Sequence, residues 1–490
     1  MAEEKQEKKT HGIVWRTFKW IGLSILILLI LLALVVEAPK KLVILLLIIL
    51  AAFTALPKPA RKWFWLGVGV VVLVLIIWVF LPENNEGWRP YTFDKELAAL
   101  EARYAMPDEE NAALDYKAIF ENLDTDSNQP EFFVKTKPSS KDEPWLSKDH
   151  PETAEWLEGH KDTIEKLIQA GQKDKCIFLP IGSDIITVSK LIEKIPKIRQ
   201  CTFLLLSAAN NDMAEGRSDA AIEKYLVILN IANHLYQQPT LVYYQMGVLE
   251  RLGLQQLNRY TIEGRPTEAQ LKLISNSIKN LNDNWGTDLS NILDLEKLYA
   301  KNMLSGMHYE INPQGKTRFS RGSLRRTLDQ NLNGTYTRRK FAKLGTIFAW
   351  FYVPSSPENI GRIVDAGFEK YYAMTKSDFD WKKQPDQPQM GYKINYGHMV
   401  KLLTSLTYPV YFKIHETYQR HITLRRGSRL LIAIKQYYNE NNTWPPNLDS
   451  IKSVAPAEAF IDPVTGNPLE YENHGERFSL YGETANIWPK

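Results

Sequence analysis

Cysteine is almost missing: Cys176 and Cys201 are the only two in 490 residues, which excludes the disulfide framework of a small secreted scaffold. The two can pair in an oxidising compartment or stay apart as buried thiols, and both readings remain open. A surplus of one charge is missing too. Sixty Lys and Arg stand against 56 Asp and Glu, a formal net charge of +4. Dedicated nucleic-acid binders draw their affinity from excess positive charge, so nucleic acid is not an expected partner. There is no Gly-x-Ser-x-Gly, Walker A or dinucleotide fingerprint, which removes the hydrolase, nucleotide and redox readings that rest on such local motifs. Neither a cofactor nor a metal is expected. Apolar residues are not scarce: 44% of the chain is hydrophobic and 11% aromatic, which excludes disorder as the main state.

The mean hydropathy of −0.29 hides how unevenly the apolar residues are spread. Residues 20–36 are apolar or small throughout, and about 17 residues at 1.5 Å each give roughly 25 Å, close to the hydrocarbon thickness of a bilayer. Residues 42–56 form a shorter second run, bounded by Lys40, Lys41 and Pro57. Residues 63–81 form a third, opened by Trp63, Phe64 and Trp65, closed by Pro82, and carrying Gly67 and Gly69 for close helix packing. No small-residue cleavage site followed by a polar start comes after the first run, so its retention is expected. Lys5, Lys8, Lys9, Arg16 and Lys19 precede the first run, and Lys58, Arg61 and Lys62 precede the third; both ends read as cytoplasmic. Three crossings then place the large domain outside the cytoplasm, with the lipid bilayer as the first partner. Lys40 and Lys41 are the exception to this charge pattern, and a re-entrant 42–56 would return the domain to the cytoplasm.

Beyond the membrane, acidic starts predict helices over 94–104 and 111–122. Residues 124–149 read as a loop. A helix is predicted from Asp149, with Pro151 near its first position and Gly171 at its end. From Ile198 to Leu304, punctuation at Gly216-Arg217-Ser218, Gln238-Pro239, Gly264-Arg265-Pro266 and 282–286 marks off four or five helices. Thr267 with Gln270 has the spacing of a capping box. Gly216, Ala221 and Tyr225 fall at the spacing of one tetratricopeptide hairpin, but arrays of that kind need about three repeats, so an irregular helical bundle is the leading reading.

The most basic stretch of this domain lies within 316–343. Arg318, Arg321, Arg325, Arg326, Arg338, Arg339, Lys340 and Lys343 face Asp329 alone, with Phe319, Tyr336 and Phe341 interleaved. These are the candidate residues for an anionic lipid or polymer. A solvated surface, or a match to the acids around Asp108, Glu109 and Glu110, is the leading reading of them. The apolar run 347–353 is too short to span a bilayer, and 376–397, with Pro385 and Pro388, reads as a loop.

Residues 400–439 predict a long helix with a bend at Pro409, followed by turns and a hairpin that reverses at Asn473-His474-Gly475, with Leu469, Phe478 and Leu480 filling a small apolar face. The succession of helix, Trp444-Pro445, Leu448, Asp462-Pro463 through Gly466-Asn467-Pro468 to Tyr471, and Phe478-Ser479-Leu480-Tyr481-Gly482 resembles the C-terminal part of the major pseudopilin of type II secretion over roughly the last 65 residues. The whole chain is similar to uncharacterised bacterial membrane proteins that join a helical body to such an ending. The resemblance implies an envelope setting. It does not imply a polymerising subunit, because the pseudopilin leader and its Phe-Thr-Leu-Ile-Glu-like start have no counterpart here. A pseudopilin loop can hold calcium, which singles out Asp462, Glu470 and Glu483 here, but their spacing does not make an expected site.

Catalytic candidates are thin. His415-Glu416 with His421 suggests a zinc motif, yet Gln419 holds the i+4 position that the second histidine requires. His234 and His398 read as packing or surface residues, and Asp108 with Glu110 as an acidic helix start. The expected fold is mainly α: a basic tail (1–19), three transmembrane helices (20–82), an acidic linker region (83–150), an irregular, weakly tetratricopeptide-like helical-hairpin body (151–397), and a long helix with a small β-hairpin module (398–490). The expected function is that of a scaffold or protein-interaction module anchored in a bacterial inner membrane, facing an envelope protein partner of a secretion or pilus-type assembly. The alternative is an envelope hydrolase with a site in the helical body.

Overall fold

The computed structural model describes residues 86–123, 129–134, 138–178, 193–240, 247–281, 283–320, 353–381, 396–483 and 485–489. The three apolar runs at 20–36, 42–56 and 63–81 lie outside these residues. Among the described residues no helix is long and apolar enough to cross a membrane.

The described chain is mainly helical, with small antiparallel sheets. It divides into two compact units. The larger comprises Asp94–Leu298, Tyr371–Lys383 and Pro409–Lys490. In chain order it holds α1 (Asp94–Tyr104), α2 (Ala112–Asn122), α3 (Glu131–Val134), α4 (Pro151–Gly159), α5 (Lys161–Gly171), α6 (Ile195–Ala214), α7 (Ser218–Tyr236), α8 (Val248–Glu263), α9 (Glu268–Lys279) and the first part of α10 (Trp285–His308). The single helix predicted from Asp149 to Gly171 is therefore two. Gly159 has low helix propensity, and His160 leaves helical geometry at φ −105°, ψ 10°; its ring Nδ1 turns back to the Trp156 carbonyl at 2.8 Å.

Helices α6 to α9 end at or just before the predicted punctuation, but α6 begins at Ile195 ahead of the predicted Ile198, α8 begins only at Val248, and α10 runs on to His308 past the predicted Leu304. Between α6 and α7 the chain reverses through a Schellman turn: Arg217 N–H donates to the Asp212 carbonyl and Gly216 N–H to that of Met213. Gly216 takes φ +80°, the left-handed region that glycine enters without steric cost. Ala221 and Tyr225 behind it are fully buried, and the Tyr225 hydroxyl donates to Asn210 Oδ1 at 2.6 Å. Thr267 and Gln270 form the predicted capping box at α9. The Gln270 amide also donates to Asp219 Oδ1 at 2.6 Å, tying α9 to the start of α7. Gly253 brings α8 close to α7, since a Cβ there would stand 3.2 Å from the Tyr225 carbonyl oxygen.

Helix α12 (Tyr396–Asn441), whose part from Pro409 onward belongs to this unit, ends where Asn442 turns left-handed at φ 55°. Strands β4 (Glu470–Asn473) and β5 (Phe478–Tyr481) form the predicted hairpin, closed by His474 N–H to the Arg477 carbonyl. Phe478, Leu480 and Leu469 are buried under it. A third strand, β6 (Asn486–Trp488), extends the sheet in the order β4-β5-β6; its three residues are too few to show alternation in sequence. Gly427 of α12 lets it approach, because a Cβ there would overlap Ile487.

The smaller unit comprises Met1–Phe93, Tyr299–Lys370 and Gln384–Tyr408. Its described part holds β1 (Arg89–Pro90), the end of α10, the hairpin of β2 (Tyr309–Ile311) and β3 (Thr317–Phe319), and nearly all of α11 (Pro357–Tyr372). The strand order is β1-β2-β3. Glu310 is buried and receives Arg318 Nη2 at 2.7 Å. Lys301 is buried as well and reaches Asp365 at 2.8 Å.

Candidate functional site

One face of α8 builds a site. Arg251, Gln255, Asn258, Arg259 and Ile262 recur at helical spacing, so they share a stripe, while Leu249, Gly253, Leu257 and Tyr260 on the other side are buried. The stripe forms one wall of an open cleft of about 800 Å³. Trp444, Glu476 and Arg477 near the hairpin tip and Asn486–Pro489 around β6 line it as well, with Leu424 and Phe478 between. All of these residues belong to the larger unit.

Some of the lining is already engaged. Arg259 Nη1 donates to the Asp142 carbonyl at 2.9 Å and Gln256 Nε2 to the same oxygen at 2.9 Å, which fastens the 138–145 segment to α8. The Asp142 carboxylate accepts from Ser139. Lys141 donates to the Phe133 carbonyl, and burial pushes its ammonium pKa down. Trp444 Nε1 donates to the Glu476 carbonyl, while the indole packs on Tyr438 at 4.2 Å between ring centres and on Phe478 at 4.8 Å.

Other lining groups are not engaged. Among the described residues Arg251 and Arg477 make no ion pair and no side-chain hydrogen bond, and the Gln255 amide is likewise unbonded. Asn258 is only 5% exposed, yet its amide has no hydrogen-bond partner among the described residues. Its polar atoms are not among the buried ones left without a partner, so the amide reaches the solvent of the cleft and is open to a ligand there. Glu263 and Glu476 stand on the same walls.

Behind the stripe, α8 is locked to α12. Arg425 Nε donates to Glu250 Oε1 at 2.6 Å and Nη2 to Oε2 at 2.7 Å, a bidentate pair with side chains 7% and 0% exposed. Burial opposes the charge on Glu250, but the Arg425 guanidinium outweighs it and holds that carboxyl below its usual range. The Tyr236 hydroxyl and His421 Nδ1 lie 2.7 Å apart beside the pair, and burial lowers the His421 pKa. The network holds the wall of the cleft in place, since Glu250 and Arg251 are neighbours on α8.

The residues singled out from sequence fall elsewhere. Arg318 is paired to Glu310 and lies 4.1 Å from the Trp88 ring centre, so its charge is already matched. Arg321, Arg325, Arg326, Arg338, Arg339, Lys340 and Lys343 lie outside the described residues. Glu110, in the acidic stretch, pairs with Lys175 at 2.7 Å. His415 stacks on Trp381 at 3.8 Å, and burial pushes its pKa down to about 4. His234 donates Nε2–H to the Lys173 carbonyl, so its Nδ1 accepts from the Tyr116 hydroxyl at 3.0 Å. No group of three or more His, Cys, Asp or Glu side chains that could hold a metal occurs among the described residues. Asp462 is 2% exposed and is taken up by the backbone, accepting from Val464 N–H and Glu483 N–H; Glu483 meets it only through the main chain. Cys176 and Cys201 are separate buried thiols, and burial pushes both pKa values up, that of Cys201 to about 12.

The cleft was missed in sequence because its walls are about 200 residues apart in the chain. The signal available was the polar stripe Arg251, Gln255, Asn258 and Arg259 on a helix whose other face is apolar. Compared with known proteins, the chain matches no family model, no curated protein and no solved structure.

Proposed function

We propose that this protein is an interaction module, anchored in the bacterial inner membrane through 20–36, 42–56 and 63–81, that presents the α8 cleft to a protein partner in the envelope. The observation that carries the reading is the cleft itself: about 800 Å³ in size, walled by a helix that the Glu250–Arg425 pair fixes, and lined by Arg251, Gln255, Asn258 and Arg477. Its lining contains no histidine, cysteine, serine, threonine or tyrosine; its carboxylates are Asp142, Glu263 and Glu476, of which Asp142 is taken up by Ser139. The pseudopilin-like ending supplies the opposite wall, which supports a secretion or pilus-type assembly as the setting. The basic residues of 321–343 would add contact with anionic lipid headgroups or polymer.

The test is photocrosslinking in cells. A benzophenone amino acid in place of Gln255 should give a defined protein adduct. The same group in place of Leu273, exposed on α9, should not. Equal adducts at both positions, or none at either, would contradict the reading.

A further inference from the structure

The cleft offers more than room for a partner, because its unbonded groups and apolar walls together select a chemistry. We infer that it takes a peptide segment in which a carboxylate stands next to a large aliphatic or aromatic side chain. This rests on the interaction-module reading above.

Three observations carry it. Arg251 and Arg477 line the same cleft without an ion pair, and a guanidinium finds its best partner in a carboxylate, through paired N–H donors. Asn258 and Gln255 each offer a donor and an acceptor, which matches one peptide unit of a bound chain. Finally, Leu252, Ile262 and Ile487 contribute aliphatic surface to the cleft. Such surface rewards burial of an apolar side chain but would strip water from sugar hydroxyls without replacing it. Saccharide sites stack sugars on open aromatic faces, whereas of the two tryptophans here Trp444 is packed against Tyr438 and Phe478, and Trp488 stacks on Phe478. A polyanion is disfavoured because Lys141, Arg251, Arg259 and Arg477 stand against Asp142, Glu263 and Glu476 in the lining, a surplus of only one positive charge. A single carboxylate fits, and a dense row of anions does not. Recognition by strand addition along β6 is also disfavoured, since that edge is three residues long and Pro489 follows it.

The experiment uses the full chain in nanodiscs and fluorescence anisotropy with three labelled probes, and a fourth, central-Lys pool for one variant. Two are nonapeptide pools that differ only in a central Glu or Gln flanked by Leu, Ile or Phe. The third is a hyaluronan hexasaccharide, an acidic sugar. The Glu pool should bind about ten-fold or more tighter than the Gln pool, and the saccharide more weakly than either. Arg251→Gln with Arg477→Gln should erase the preference for Glu and leave the Gln pool unchanged, whereas Asn258→Leu should weaken both pools. Because a double variant can lose its fold, Arg477→Glu alone, at the hairpin tip, provides a second reading: it should favour a pool with a central Lys. Equal binding of the Glu and Gln pools, tighter binding of the saccharide, or wild-type preference in the Arg variants would overturn the inference. Crosslinking at Gln255 separates the two levels. An adduct there with both pools unbound removes the acidic-peptide assignment and leaves the interaction reading standing; no adduct and no bound peptide remove both.

Discussion

Breaking the Glu250–Arg425 pair should be far more damaging than removing it. Both side chains are out of water and joined by hydrogen bonds of 2.6 and 2.7 Å, so Glu250→Gln leaves a buried guanidinium without its bidentate carboxylate. Arg425 cannot escape by losing its proton, because a guanidinium stays protonated in proteins whatever its neighbours. Losing one partner of such a pair costs about 3–5 kcal/mol. At about 2 °C per kcal/mol for a unit of this size, the midpoint of thermal unfolding should fall by roughly 6–10 °C. Glu250→Leu with Arg425→Met replaces the pair by apolar groups of similar volume and should lie within about 2 kcal/mol of the parent. Thermal and urea unfolding in mild detergent, followed by near-ultraviolet circular dichroism, measure both. If the single variant is no less stable than the double, the pair is not the lock that holds α8 against α12.

Acid should weaken the larger unit in part through His415. Its folded pKa of about 4 lies below the usual 6.5, so the unfolded chain takes the proton first. The stability this histidine lends is present above pH 6.5 and is lost as pH falls towards 4, by about 3 kcal/mol. His415→Gln should flatten the pH dependence of the urea midpoint over that interval, and an unchanged slope would count against it. Gly427→Ala should destabilise the C-terminal module by about 1–3 kcal/mol, although alanine in a helix interior normally stabilises. Faster proteolysis after Asn442 reports it, and slower proteolysis would sink the argument. Cys176 and Cys201 should resist alkylation at pH 8 in the native state and react together in denaturant, as two thiols with no disulfide; one reactive thiol in the native state would contradict their burial.

Local features were legible because their physics is local. The Schellman turn at Gly216, the capping box at Thr267 and the hairpin reversal at Asn473-His474-Gly475 each depend on a few adjacent residues with special backbone or hydrogen-bonding needs. The helix break at Gly159 was not, because one glycine followed by a histidine does not force a stop by itself. Strands β1, β2, β3 and β6 were missed for a different reason: at two or three residues each they are defined by their pairing partners. The site was the least legible part. Arg425 and Glu250 are 175 positions apart, and nothing near either one announces that they meet. Asn258 reads as an ordinary helix residue until the C-terminal hairpin, more than 200 positions on, closes a cleft over it.

The proposed role requires the cleft to face the envelope, and topology tests that most directly. A reporter active only outside the cytoplasm, fused after Pro82 and again after Lys490, should be active at both positions. Activity at neither would contradict the account, placing α8 and its cleft in the cytoplasm with 42–56 failing to span.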